Sequence, residues 1–99
     1  MLHIVNKSPQ DRNALDACLR VAQSGGTVLL IEDAVYAATR GNAAEPGIKE
    51  ALSRLKVCVL QADLEARGMA DRLIDGVLAV DYGGFVDLAA ENKNCQSWL

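Results

Sequence analysis

The chain has 99 residues, of which 51% are hydrophobic, 23% charged and 4% aromatic, and its formal net charge is −3. This length and composition predict one globular domain spanning residues 1–99 and exclude a disordered chain or a second domain. The acidic balance argues against direct binding to nucleic acid, and no apolar run approaches the 18 residues of a membrane span. The first residues lack the pattern of a secretory signal, so we expect a cytoplasmic protein.

The beginning of the chain predicts a strand followed by a helix. Residues 2–6 form a short apolar run. Ser8, Pro9 and Asp11 then have the order of a hydroxyl cap, a first-turn proline and a first-turn carboxylate, which predicts a helix that ends near Gln23. The apolar residues of this helix follow the i, i+3, i+4, i+7 spacing of a face that packs on a flat surface: Leu15, Cys18, Leu19 and Ala22.

Residues 27–32 form a continuous apolar run, which is typical of a strand buried on both faces of a parallel sheet. The remaining patterns predict, in order, a short helix at 33–39, a polar loop at 40–45, a helix at 46–55, a strand at 56–60, a helix at 62–67, a strand at 74–80, a helix at 84–91 and an extended or irregular tail at 94–99.

The alternation of strands and helices predicts right-handed crossovers and a mostly parallel sheet. The expected fold is therefore α/β, a small doubly wound sandwich with helices on both faces of the sheet. Ligands or partners of such folds bind beyond the carboxyl ends of the strands. This places the expected site around residues 32–33, 60–61 and 81–82.

Motifs for phosphate, metal or hydrolase chemistry are missing from the sequence. The glycine pairs lack the G-x-G-x-x-G and Walker patterns, no G-x-S-x-G elbow occurs, and the cysteines lack C-x-x-C spacing, so we predict no cofactor and no metal. The single histidine, His3, is interpreted as a hydrogen-bonded structural residue. Asp33, Asp63 and Asp81 stand at strand-to-helix junctions, where helix capping explains them at least as well as acid–base catalysis.

Thiol chemistry is the remaining option among the residues, and three cysteines are available. Cys18 lies on the apolar stripe of the first helix without a basic neighbour one turn away, so its activation would have to come from another chain. Cys58 lies inside a strand and is interpreted as core. Cys95 lies in the polar tail, where it is accessible but has no nearby base.

Several short segments occur along nearly the whole chain in a specific order and spacing. They are Met1-Leu2-His3, Lys7-Ser8-Pro9, Leu29-Leu30-Ile31-Glu32-Asp33, Gly41-Asn42, Asp63-Leu64, Ala66-Arg67-Gly68, Asp81-Tyr82 and Gln96-Ser97-Trp98. Taken together, these segments resemble the DsrH/TusB family, the small subunits of the DsrEFH and TusBCD sulfur-relay complexes.

The resemblance implies a DsrE-like, flavodoxin-like fold and a heterohexamer with two copies each of this chain, a DsrE/TusD-like subunit and a DsrF/TusC-like subunit. Such complexes pass persulfide sulfur between cysteines and exchange it with a DsrC/TusE-like carrier. Cys18 matches the cysteine typical of DsrH, which favours the DsrEFH branch. Related DsrE/TusD chains have their sulfur-accepting cysteine just before an alanine-rich segment that ends in Arg-Gly. Leu60 begins the comparable segment here, so we do not expect this chain to be the principal acceptor.

The sequence thus predicts a mainly architectural subunit of a cytoplasmic sulfurtransferase complex in DsrEFH-type sulfur oxidation. Cys18 is the candidate catalytic residue, as a carrier of sulfane sulfur. One alternative is a TusB-like subunit in the sulfur relay for 2-thiolation of tRNA wobble uridines. Another is a homo-oligomeric module that binds a small ligand at the strand ends.

Overall fold

The computed structural model describes residues 1–8 and 14–98, which form a single parallel sheet flanked by helices. The strands lie in the order β4-β3-β2-β1-β5. Their bounds are β1 Leu2–Val5, β2 Thr27–Leu30, β3 Lys56–Leu60, β4 Leu78–Val80 and β5 Cys95–Trp98. Every adjacent pair is parallel.

Within the described residues, four α-helices and two 3-10 segments connect these strands. The α-helices are α1 Ala14–Val21, α2 Glu45–Ala51, α3 Gln61–Ala66 and α4 Tyr82–Glu91, and the 3-10 segments are Glu32–Ala38 and Ala70–Arg72. The predicted start of the first helix falls largely on residues 9–13, outside the described residues. None of the helices in the described ranges is long and apolar enough to cross a membrane.

The order of the strands explains why helices lie on both faces of the sheet. From β1 to β4 each strand lies beside the previous one, so right-handed crossovers place their connections on the same face. We call this the α1 face, where side chains of α1, α2 and α3 pack on the sheet: Leu15, Cys18, Ile48 and Leu64 against Val28 and Val57. The chain then returns across the sheet from β4 to β5, and α4 covers part of the opposite face, the α4 face, where Leu88 packs with Leu2, Leu29 and Cys58. The predicted doubly wound α/β fold is confirmed.

Several predicted bounds are corrected by the structure. Residues 33–38 fall in a 3-10 segment rather than an α-helix, Thr39 lies just beyond that segment, and the helix predicted at 46–55 ends at Ala51. β2 ends at Leu30, before the two residues at 31–32 that were predicted to continue it. β4 begins at Leu78 rather than 74, because Gly76 has a φ of 98° and the chain turns there.

The tail predicted as extended or irregular contains a fifth strand. β5 pairs in parallel with β1, with Leu2 opposite Cys95 and Val5 opposite Trp98. The Trp98 indole N–H also donates to His3 Nδ1 at 3.1 Å, which joins the side chains of the two strands. His3 is buried, so its interpretation as a hydrogen-bonded structural residue is confirmed.

Candidate functional site

The carboxyl ends of β2 and β3 are joined by a network of acidic side chains and one arginine. Glu32, just after β2, has a φ of 52°, which is unusual for a residue with a side chain. Its backbone N–H donates to Asp63 Oδ2 at 2.7 Å. Arg67 donates from Nε and Nη2 to Asp33 Oδ1 at 3.0 and 2.9 Å, and from Nη1 to the Asp63 carbonyl at 3.2 Å. These bonds fasten α3 to the 3-10 segment Glu32–Ala38.

Two of the three predicted helix caps, those at Asp33 and Asp63, are wrong. Asp33 and Asp63 do not accept from the N-terminal N–H groups of their own helices; they bind Arg67 and the Glu32 N–H instead. Asp81 is the N-cap of α4, where its Oδ1 accepts from the Gly84 N–H at 2.7 Å, so that capping prediction is confirmed. The cap also explains why α4 begins at Tyr82, two residues before the predicted start.

Leu60 occupies the position at which related chains are expected to have the sulfur-accepting cysteine. It is the last residue of β3 and the N-cap residue of α3, and it is buried. An aliphatic side chain has neither a nucleophile nor a titratable group. The junction between β3 and α3 therefore lies at the carboxyl end of a strand, where a ligand site is expected, but Leu60 provides no thiol there.

Cys18 lies in the core of the α1 face, and no part of it is exposed. Burial raises the pKa of its thiol to about 11, because the charged thiolate is poorly solvated among apolar side chains. Thiolate is the form that attacks a persulfide, and lowering of a thiol pKa requires a nearby cation, metal or helix N-terminus. In this structure the Cys18 thiol is thus neutral at physiological pH and shielded from a donor.

The other two cysteines lie on the opposite side of the sheet. Cys58 is buried on the α4 face, where desolvation raises its pKa, and its prediction as a core residue is confirmed. Cys95 is exposed on the edge strand β5, in register with Leu2, so its side chain is on the α4 face as well. The sheet separates Cys18 from both, so direct sulfur transfer between Cys18 and either of the other thiols is blocked in this conformation.

The α4 face carries exposed apolar side chains around β4 and α4. Leu78 is 51% exposed, Tyr82 62% and Val86 65%. We call these three residues the α4 patch. Tyr82 and Val86 are four residues apart and so lie on the same side of their helix. None of the three residues of β4 is buried, whereas every residue of β2 is.

The extent of the sheet explains this exposure. Parallel sheets are normally covered on both faces. Five strands at a spacing of about 4.8 Å span about 19 Å between the outer strands, whereas one helix is about 10 Å wide. α4, with ten residues, is the one helix that packs on this face in the described part of the chain, so it leaves the outer strands partly uncovered.

A metal site requires several ligands close together. Across residues 1–8 and 14–98, no group of three or more His, Cys, Asp or Glu side chains is placed to hold a metal ion.

Comparisons with known proteins agree with these features. The family model for DsrH like protein matches residues 7–95. The chain is 34% identical over 98 residues to Protein TusB of Escherichia coli O81 (strain ED1a), which covers 99% of this chain and 100% of the relative. This chain belongs to the DsrH/TusB family of sulfur-relay subunits. Protein TusB of Shigella flexneri is 33% identical to this DsrH/TusB chain with the same coverage.

Two solved structures have the same fold as this DsrH/TusB chain. The ychN protein from E. coli superposes with a TM-score of 0.81 at 22% identity and covers 97% of both chains. The protein of unknown function MTH1491 from Methanobacterium thermoautotrophicum superposes with a TM-score of 0.74 at 18% identity, covering 97% of this chain and 96% of that one. At these identities the likeness supports the fold alone.

The sequence patterns predict a site at the carboxyl ends of the strands, but they do not predict the hydrogen bonds found there. They do not predict the pairing of Arg67 with Asp33 or the bond from the Glu32 N–H to Asp63, which join residues 34 and 31 positions apart. They also do not predict the α4 patch. The spacing of Tyr82 and Val86 was the available signal, but an apolar stripe has the same spacing whether it packs on its own sheet or on a partner.

Proposed function

We propose that this chain is an architectural subunit of a cytoplasmic sulfur-relay complex. In this proposal the α4 patch contacts DsrE/TusD-like and DsrF/TusC-like subunits, and two copies of each chain make a heterohexamer. The observation that carries the proposal is the partly uncovered parallel sheet with Leu78, Tyr82 and Val86 exposed beside it. Apolar surface that a small domain leaves exposed is typical of a protein–protein contact.

The thiols support the architectural role over that of a sulfur acceptor. Leu60 provides no nucleophile at the strand end, and Cys18 is buried with a raised pKa. Sulfur carriage at Cys18 stays a prediction, and it would require α1 to move away from the sheet in the assembled complex. Replacing Cys18 by serine in that complex tests it: unchanged sulfur transfer by an intact hexamer would leave the architectural role alone.

A matched pair of valines tests the assembly itself. Val86 on α4 and Val21 on α1 are 65% and 57% exposed, so a charge at either site should change the stability of the isolated domain by no more than about 0.5 kcal/mol. Val86→Glu would introduce a charge into the proposed contact. We expect it to prevent co-purification with the partner subunits, whereas Val21→Glu should assemble normally.

The valine pair also separates this proposal from the homo-oligomeric alternative. If Val86→Glu assembles as well as the unchanged chain, the α4 patch is not the contact. If the unchanged chain forms a stable monomer or homodimer and has no affinity for DsrE-like and DsrF-like chains, the heterohexamer is wrong and a small-ligand module is favoured.

The relay has two possible destinations, and a different observation supports each. The match of Cys18 to the cysteine typical of DsrH supports sulfur oxidation with a DsrC-type carrier. The identity to TusB chains over nearly the full length supports 2-thiolation of tRNA wobble uridines through a TusE-type carrier, and we favour this second destination. Deletion of the gene should then lower 2-thiouridine in tRNA. If thiouridine is unchanged while oxidation of stored sulfur stops, the DsrEFH branch is correct.

A further inference from the structure

A cavity of about 530 Å³ lies outside the core of the α1 face, between the end of the first 3-10 segment and the segment Ala70–Arg72. This volume is within the range of small-molecule sites. The residues that line it include Tyr36, Arg40, Asn42, Met69 and Arg72. Neither the strand-end network nor the α4 patch involves it.

Two arginines that line this cavity, Arg40 and Arg72, are held next to each other by the backbone. Thr39 and Leu73 form an antiparallel bridge. On one side of the bridge the Arg40 N–H donates to the Arg72 carbonyl at 2.7 Å, and on the other the Ile74 N–H donates to the Ala38 carbonyl at 2.8 Å. The bridge brings the backbones of Arg40 and Arg72 together, and both side chains are exposed and line the same cavity.

The carboxylates near these arginines make no salt bridge to either guanidinium. Arg40 donates from Nη2 to the Asp71 carbonyl at 2.7 Å. Within residues 1–8 and 14–98 the Arg72 guanidinium makes no hydrogen bond or ion pair, although the Arg72 backbone does. The charge of Arg40 helps to lower the pKa of Glu45. The two carboxylate oxygens of Glu45, however, bind other groups: Oε2 pairs with Lys49 Nζ at 3.0 Å, and Oε1 accepts from the Gly41 N–H at 2.8 Å. Asp16, which also lines the cavity, makes no salt bridge to either guanidinium.

The rest of the wall suits a ligand with an organic part. In the described part of the chain the Tyr36 hydroxyl has no hydrogen-bond partner, so it is available as a donor. Asn42 holds the loop in place: its Nδ2 donates to carbonyls that include Tyr36, and its Oδ1 accepts from the Ala44 N–H at 2.6 Å. Met69 and Ala44 pack against the core and provide an apolar surface.

We propose that this cavity binds a small organic phosphate, with the phosphate bridging the guanidiniums of Arg40 and Arg72 and the organic part lying against Met69 and Tyr36. An arginine pair that makes no salt bridge can donate to a phosphate, which accepts paired N–H bonds from each guanidinium. A phosphate in this cavity would be attracted to both charges. This site is built from side chains and does not use the glycine-rich loop whose absence is evident in the sequence.

Calorimetric titration of the full chain with adenosine monophosphate and with inorganic phosphate at low ionic strength tests the proposal. We expect saturable binding of both probes, tighter for the nucleotide because it also contacts the apolar wall. Arg72→Gln should weaken binding of both at least about tenfold, because it removes charged hydrogen bonds. Arg72→Lys should weaken it less. Arg20→Gln, which removes an exposed charge from α1 outside the cavity, should leave the affinity within about twofold.

The ligand-free proteins provide a second readout. Because the Arg72 side chain is exposed and its guanidinium makes no ion pair with a described residue, Arg72→Gln should have a melting temperature equal to or above that of the unchanged chain. A clearly lower melting temperature would assign Arg72 a structural role and overturn the proposal. Absence of saturable binding, or an equal loss in Arg20→Gln, would also overturn it. None of these outcomes bears on the subunit contacts proposed for the α4 patch.

Discussion

Arg54 caps the C-terminal end of α1 although it lies in a distant segment of the chain. Its Nη2 donates to the Leu19 carbonyl at 2.6 Å and its Nη1 to the Ala22 carbonyl at 2.9 Å. The last carbonyls of a helix have no partner within the helix, and they form the negative end of its dipole. The guanidinium provides both the hydrogen bonds and the opposite charge.

Arg54→Gln should therefore lower the free energy of unfolding by about 1–3 kcal/mol, the range for hydrogen bonds to a charged group. Urea unfolding would measure this change. Arg20→Gln is the matched control, because Arg20 is exposed on the same helix and should contribute less than about 0.5 kcal/mol. Equal losses in the two variants would mean that the bonds to α1 add nothing.

Because the Cys18 thiol is buried, we expect the free energy of unfolding to fall at alkaline pH. Its pKa is raised from 9.0 to about 11 by burial, so the folded state favours the neutral thiol. The contribution to stability is complete below pH 9 and is lost as the pH rises towards 11, because the unfolded chain ionises first. Thermal unfolding between pH 8 and 11 should have a steeper slope for the unchanged chain than for Cys18→Ala. Parallel slopes would contradict the burial of this thiol.

Among the elements, β5 was the one that the sequence patterns did not identify as a strand. Its first three residues, Cys-Gln-Ser, lack the β-branched and aromatic side chains that favour strands, and all three are exposed because β5 is an edge strand. β5 is held in place by β1, which lies more than 90 residues earlier in the chain. The two strands pair in parallel, and Trp98 of β5 donates a hydrogen bond to His3 of β1. The buried strands β2 and β3 were predicted because their apolar residues are continuous.

The His3–Trp98 bond should make the docking of β5 depend on pH. Nδ1 of His3 accepts the indole proton, so the ring must be neutral, and its pKa is lowered from 6.5 by desolvation and then by the N-terminal amino group. Stability from this neutral histidine is present above pH 6.5 and is lost as the pH falls through the lowered pKa. The fluorescence of Trp98, the only tryptophan, should change in that range.

His3→Gln is the control for this titration, since it removes the titrating ring. The acid transition in the Trp98 emission should then disappear. Trp98→Phe, which keeps an aromatic ring but loses the N–H, should lower the free energy of unfolding by about 1 kcal/mol. An acid transition that persists in His3→Gln would assign it to carboxylates elsewhere.

The sequence predicts the fold class of the whole molecule, but it does not predict which distant side chains form contacts. Alternation of strands and helices with right-handed crossovers restricts the chain to very few topologies. The bonds of Asp63 and Asp33 were not predictable, because they depend on how α3 and the 3-10 segment approach each other in space. The sequence equally could not assign Val86 to core or surface, since both roles use the same apolar spacing.

The three cysteines provide a test of the assembly as a whole, because they occupy three environments in one chain. In the isolated chain Cys95 is exposed, so iodoacetamide should label it rapidly at pH 8, whereas labelling of Cys18 and Cys58 should require unfolding. Cys95 lies in register with Leu2 on the α4 face, near the part of the sheet that α4 leaves uncovered. If partner subunits extend over this face from the α4 patch, they should slow the labelling of Cys95 about tenfold or more without slowing that of Cys18. Rapid labelling of Cys95 in the assembled complex would limit the contact to β4 and α4 and leave the β5 edge open.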